Sequence, residues 1–177
     1  MKISDEEYEE APGASPVPKT WLDRLVWLCG LLSALLILYI LGITAVAVFF
    51  RYVLGTPLLG IDEQVGFLVV TVVMLGAAEA LRRGDHIGID ILTAHLSGPI
   101  RRWLDLFGFV VILVFAGVLL VSSWHTVTFS RQFEAYSPGH LEMPMWIPQS
   151  ALVVGAVTLG LVALSKLIGV FVRGQTP

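Results

Sequence analysis

Residues 25–50 read LVWLCGLLSALLILYILGITAVAVFF, 26 residues without one charge. At 1.5 Å of rise per residue a helix of this length spans roughly 39 Å, more than the ~30 Å of a bilayer's hydrocarbon core. A secretory signal carries an apolar stretch of only about 7–15 residues. Although Ala45-Val46-Ala47 resembles a cleavage site, the run is too long, and it is read as a helix that stays. Three further apolar stretches follow, over about 64–81, 104–125 and 145–165. Once lipid excludes water, each backbone amide needs an internal partner, and the alternation of a membrane β-barrel is absent. The expected fold is therefore all-α and integral to a membrane, with four transmembrane helices in a domain over 21–173.

Composition agrees. Apolar residues make up 56% of the 177 and charged residues 14%, against about 25% charged in a soluble domain. Mean hydropathy is +0.82. No basic stripe suggests nucleic acid, and Cys29, the only cysteine, lies inside the first apolar run, where it reads as a small packing residue. Residues 1–20 hold five acidic residues and three prolines with little apolar content, the composition of a disordered tail.

Charge placement sets an orientation. In a four-span arrangement Lys19, Arg24, Arg82, Arg83, Arg101, Arg102, Lys166 and Arg173 share one side, and only Arg51 and Arg131 face the other. Positive residues favour the cytoplasm, so both termini and the acidic tail are expected there. Trp21, Trp27 and Trp103 mark that interface, and Trp124 and Trp146 the far one. The connection RRGDHIGIDILTAHLSGPIRRW (82–103) mixes aliphatic and charged residues and predicts a short amphipathic interfacial segment between helices two and three. Gly30/Ala34, Gly76/Ala80 and Ala156/Gly160 have the four-residue spacing of small residues that lets membrane helices approach closely.

The polar residues near the spans admit several roles. Asp62 and Glu63 open the second helix, where carboxylates complement its dipole, and an ion pair from Arg51 to Glu63 would fix the first hairpin. Glu79, inside the second span, has Arg82 and Arg83 three and four residues on, on one face. It can form a local ion pair, serve a proton or cation path, or meet another subunit. Pro144 and Pro148 precede or open the fourth helix, where a missing N–H is tolerated. His86, His95, His125 and His140 all lie off the membrane centre, which argues against haem ligation. No CxxCH, HExxH, nucleophile elbow or phosphate loop occurs, and enzymatic activity has no support.

The stretch FFRYVLGTPLLGIDEQVGFLVVTVVMLGAAEALRRGDHIGIDIL, Phe49 to Leu92, resembles the small permease subunit (DctQ-type) of tripartite ATP-independent periplasmic (TRAP) transporters. Arg51-Tyr52 closing helix one, Glu63 opening helix two, Gly76-Ala77-Ala78, and His86 and Asp90 carry the resemblance. SPGHLEMPMWIP (Ser137 to Pro148) adds a weaker match. The resemblance covers roughly residues 20–172; the acidic tail departs from it.

It implies a non-catalytic subunit of a bacterial inner-membrane secondary transporter for organic acids such as dicarboxylates or sialic acid. Its partners would be a large permease subunit, which moves substrate and sodium by an elevator motion, and a periplasmic substrate-binding protein. The small subunit would widen the scaffold and help dock that protein. It would carry no cofactor of its own, the sodium sites lying on the large subunit. Arg51, Tyr52, Glu63, Gly76, Glu79, His86, Asp90 and Pro144 are the candidates for packing, anchoring in lipid or subunit contact. Rival readings are a homo-oligomeric proton-coupled exporter, which needs Glu79 as its carboxylate, a haem-bearing membrane anchor, and the small subunit of a tricarboxylate transporter.

Overall fold

The computed structural model describes residues 21–83 and 98–173, which form α1 (Trp21–Tyr52), α2 (Ile61–Arg83), α3 (Gly98–Gln132) and α4 (Trp146–Arg173). All four carry a stretch long and apolar enough to cross a membrane, and the fold is all-α. The expected tail over 1–20, and residues 84–97 of the expected amphipathic segment, fall outside the described residues.

Each helix runs past the end expected of it. α3 does so through residues 126–132, where its hydroxyls fold back on the helix. Thr126 Oγ1 donates to the Ser122 carbonyl (2.9 Å) and Thr128 Oγ1 to that of Trp124 (2.8 Å), so the polar residues cost little. The helix stops before Glu134, whose φ of 47° is left-handed. At 35 residues α3 is roughly 52 Å long and must tilt or project beyond the bilayer.

The helices do not close into a ring. α1 packs on α2, α2 on α4 and α4 on α3, while the remaining pairs barely touch. The spatial order is thus α1, α2, α4, α3, an open row. Burial follows it: the inner helices α2 and α4 bury 22% and 28% of their most apolar stretches, the flanking helices α1 and α3 only 6% and 11%.

With lipid as apolar as leucine, van der Waals fit and polar contacts hold such helices together, and each contact in the row uses a small residue. On α1, Ser33 lies against Gly76 of α2, where an added Cβ would come 3.2 Å from the Ser33 Oγ, and that hydroxyl donates to the Val72 carbonyl at 3.0 Å. On α4, Gly155 presses on the Met74 backbone of α2, and Gly160 faces Ala116 of α3. Val26, Ala78, Leu81, Val162 and Ala163 form the buried apolar cluster. It lies at the end that holds the α1 N-terminus and the α2 C-terminus, called proximal below. The distal end holds residues 53–60 and 133–145.

Candidate functional site: a proximal charge cluster and a distal tethered loop

Among the small residues of α2 stands its only interior carboxylate, Glu79. Glu79 is 5% exposed and Arg82 8%. Arg82 donates to Glu79 through Nε (2.6 Å to Oε2) and Nη2 (2.8 Å to Oε1), a bidentate pair, and Arg83 adds Nε to Oε1 at 2.7 Å. Both carboxylate oxygens therefore have charged donors, the arrangement in which an ion pair survives removal from water. The seat is Gly30 of α1: a Cβ there would lie 2.7 Å from Glu79 Cγ and 3.3 Å from Cδ. Lys166 of α4 closes the cluster, its Nζ donating to the Arg82 carbonyl at 2.9 Å and covering part of the α2 C-terminus. One carboxylate thus faces two guanidinium groups of its own helix and rests against α1, while α4 reaches the cluster through the Arg82 carbonyl.

At the distal end the 133–145 connection folds back on itself. Tyr136 and Pro144 pair in an antiparallel bridge, with the Ser137 N–H on the Met143 carbonyl and the Met145 N–H on that of Ala135, each at 2.9 Å. The Arg131 guanidinium lies 5.9 Å over the Trp146 ring, joining the ends of α3 and α4. Glu63 then ties this loop to α2. Its Oε2 accepts the Leu141 N–H at 3.2 Å, and its carboxylate lies so close over Gly139 that any Cβ there would collide with it. Gly60, at φ 82°, approaches from the other hairpin, where an added Cβ would lie 3.3 Å from Leu141 Cγ.

The expected Arg51–Glu63 ion pair is therefore corrected. Glu63 turns to the loop before α4, 78 residues on, and Arg51 stacks 5.9 Å from the ring of its neighbour Tyr52. Left-handed Gly55 and a Thr56 N–H bond to the Phe50 carbonyl turn the chain away from α1 between them. Gly76 faces Ser33, Pro144 lies in the bridge, and Tyr52 is 77% exposed. His86, Asp90 and His95 lie outside the described residues. His125 on α3 and His140 in the loop are both exposed, and among the described residues no three metal-ligating side chains converge.

Three contributors were not foreseen. Gly155 has the signal of a small residue four positions after Ala151, but nothing marks the Leu141 amide or the Lys166 ammonium as partners before the helices are placed.

The tether has a measurable consequence. Glu63→Ala removes the acceptor from the Leu141 amide and is expected to cost about 1.5–3 kcal/mol, the range of a hydrogen bond to a charged group. Limited proteolysis within 133–145 should speed up accordingly. Glu63→Gln keeps a carbonyl acceptor but loses the charge, so its cleavage rate should fall between those of the native chain and the alanine variant. Equal cleavage rates for the alanine variant and the native chain would show that the bond does not restrain the loop.

Comparison with known proteins places this architecture. Residues 40–173 match the family described as "Tripartite ATP-independent periplasmic transporters, DctQ component". The chain is 30% identical over 123 residues to the C4-dicarboxylate TRAP transporter small permease protein DctQ of Rhodobacter capsulatus, covering 70% of this chain and 54% of that one. It is 26% identical over 111 residues to the protein of the same description from Vibrio cholerae, covering 60% and 48%. With the sialic acid TRAP transporter permease protein SiaT of Haemophilus influenzae it shares 33% identity over 99 residues, 56% of this chain but 16% of that much longer one. The match spans about half the length of the two DctQ relatives. With four apolar helices long enough to cross a membrane, the chain belongs to the DctQ family of small TRAP permease subunits.

Proposed function

We propose that this chain is the fixed scaffold partner of a large permease subunit in a sodium-coupled TRAP transporter for organic acids, with both termini in the cytoplasm of a bacterium. The observation that carries the proposal is the open row. Four helices standing side by side leave broad apolar flanks on α1 and α3, with no described ion pair between the proximal and distal ends, which suits a wall applied to a larger protein. The short coverage of the sialic acid permease is in keeping with a small part working beside a much larger one. The relatives' names point to C4-dicarboxylates and sialic acid as the substrate class. The eight Lys and Arg residues on one side favour the cytoplasm for the proximal end. The tethered loop would then face the periplasm, with exposed Phe133, Tyr136 and Leu141 as a surface for a substrate-binding protein.

A proton-coupled exporter would need a Glu79 free to exchange its proton, whereas three guanidinium N–H groups occupy both of its carboxylate oxygens.

The test is to tag the full chain at its C-terminus, extract it in mild detergent and identify what accompanies it. A stoichiometric many-span membrane protein is expected. Uptake by the reconstituted pair should follow a sodium gradient and stop when that gradient is dissipated. Recovery of self-associated chain alone would overturn the scaffold reading, and uptake indifferent to sodium would overturn the coupling.

A further inference from the structure

Between the last turn of α1 and the first turn of α2 lies an open groove of about 600 Å³, within the roughly 300–1,000 Å³ of small-molecule sites. Ala47 and Val48 of α1 and Val65 of α2 line its apolar part, and Arg51, Asp62 and His140 its polar part. Arg51 stacks on Tyr52; among the described residues it makes no ion pair, and Asp62 makes neither ion pair nor hydrogen bond. A cation and an anion that share one groove without pairing suit a ligand that carries both charges.

Depth narrows the ligand further. Arg51 directly follows the 26-residue uncharged run, which puts the guanidinium at the level of lipid headgroups, with Tyr52 beside it as an interfacial aromatic. Ala47 and Val48 lie one turn into the membrane from Arg51, and Val65 almost one turn in from Asp62, so the apolar part points toward acyl chains. An anionic lipid would satisfy Arg51 but set its negative charge near Asp62. We propose that the groove binds one zwitterionic glycerophospholipid, its phosphate on Arg51 and its headgroup ammonium on Asp62, with the first acyl carbons against Ala47, Val48 and Val65. His140, brought there by the Glu63 tether, offers the phosphate a second donor. The lipid would fill the space where a direct Arg51–Asp62 bridge does not form, and so fasten the first hairpin. The inference is independent of the transport reading.

The test uses the full chain in nanodiscs of equimolar phosphatidylethanolamine and phosphatidylglycerol, released in a native mass spectrometer so that retained lipids are counted. One phosphatidylethanolamine per chain is expected. Asp62→Asn should leave a lipid bound but shift the preference toward phosphatidylglycerol by about tenfold, the scale of one charge-assisted bond. Arg51→Met should lower retention of both lipids by about as much, and Arg51→Lys should restore most of it. Because the Asp62→Asn readout is a change of headgroup, a variant that merely folds poorly does not imitate it. Equal retention of the two lipids by the native chain, or an ethanolamine preference that survives Asp62→Asn, would overturn the proposal. So would loss of the lipid when the large subunit is bound, since the groove would then belong to the subunit contact.

Discussion

Glu79→Met is expected to destabilise the purified full chain by about 3 kcal/mol, because it strands the 8%-exposed Arg82 without its counter-charge. Breaking a buried pair by removing one partner costs on the order of 3–5 kcal/mol. The lower end applies because the cluster lies at the end of α2, where the Arg83 side chain is 42% exposed and headgroups and water approach. Glu79→Met/Arg82→Met should recover much of that loss, since two flexible apolar side chains replace the pair with no charge left buried. The measurement is unfolding of each variant in mixed micelles, assembled into a double-mutant cycle. A coupling energy near zero would sink the account of Glu79 as the counter-charge of Arg82. The same experiment separates structure from transport chemistry. Were Glu79 a proton carrier, its neutralisation would stop transport and leave stability almost unchanged.

Gly155→Val is the second large effect, and its cause is steric. A Cβ at residue 155 would stand 2.9 Å from the Met74 carbonyl oxygen and 3.1 Å from its carbonyl carbon. Both are backbone atoms of an inner helix and cannot turn aside as a side-chain end can. Overpacking of this kind costs about 1–3 kcal/mol, and the stiff β-branched side chain allows little escape. Because Gly155 supplies the close approach between α2 and α4, the loss should fall on the joint between the two hairpins. Gly42→Ala is the control: its Cβ meets nothing within 4 Å, so the higher helix propensity of alanine should leave it neutral or more stable by up to about 1 kcal/mol. Equal unfolding midpoints for Gly155→Val and Gly42→Ala would show that the row does not depend on this contact.

Hydropathy along the chain was enough to find all four spans, because lipid makes a long uncharged run costly in any conformation other than a helix that crosses or is buried. It was equally enough to put Arg82 and Arg83 on the face of Glu79, since a helix places residues three and four apart side by side. Helix ends were less legible. The TVTFSRQ stretch after His125 looks like the start of a loop until the Thr126 and Thr128 hydroxyls are seen returning to their own helix.

Long-range partners were not legible at all. Glu63 had a plausible cation twelve residues back in Arg51, and the turn at Gly55 sends the chain elsewhere, so the carboxylate meets a backbone amide 78 residues away. Gly30 stood among several glycines with suitable spacing, and only the placement of α1 on α2 makes it the seat of Glu79.

The number of crossings, the class of fold and the local ion pair thus follow from one-dimensional chemistry, since each is a contest between lipid and water or between neighbours on one helix. The order α1, α2, α4, α3 follows from something else. In lipid, apolar faces attract one another no more than they attract acyl chains, so hydrophobicity does not say which face meets which. Fit between backbones decides it, through Ser33 on Gly76, Gly155 on Met74 and Gly160 on Ala116, and that fit exists only once the helices stand together.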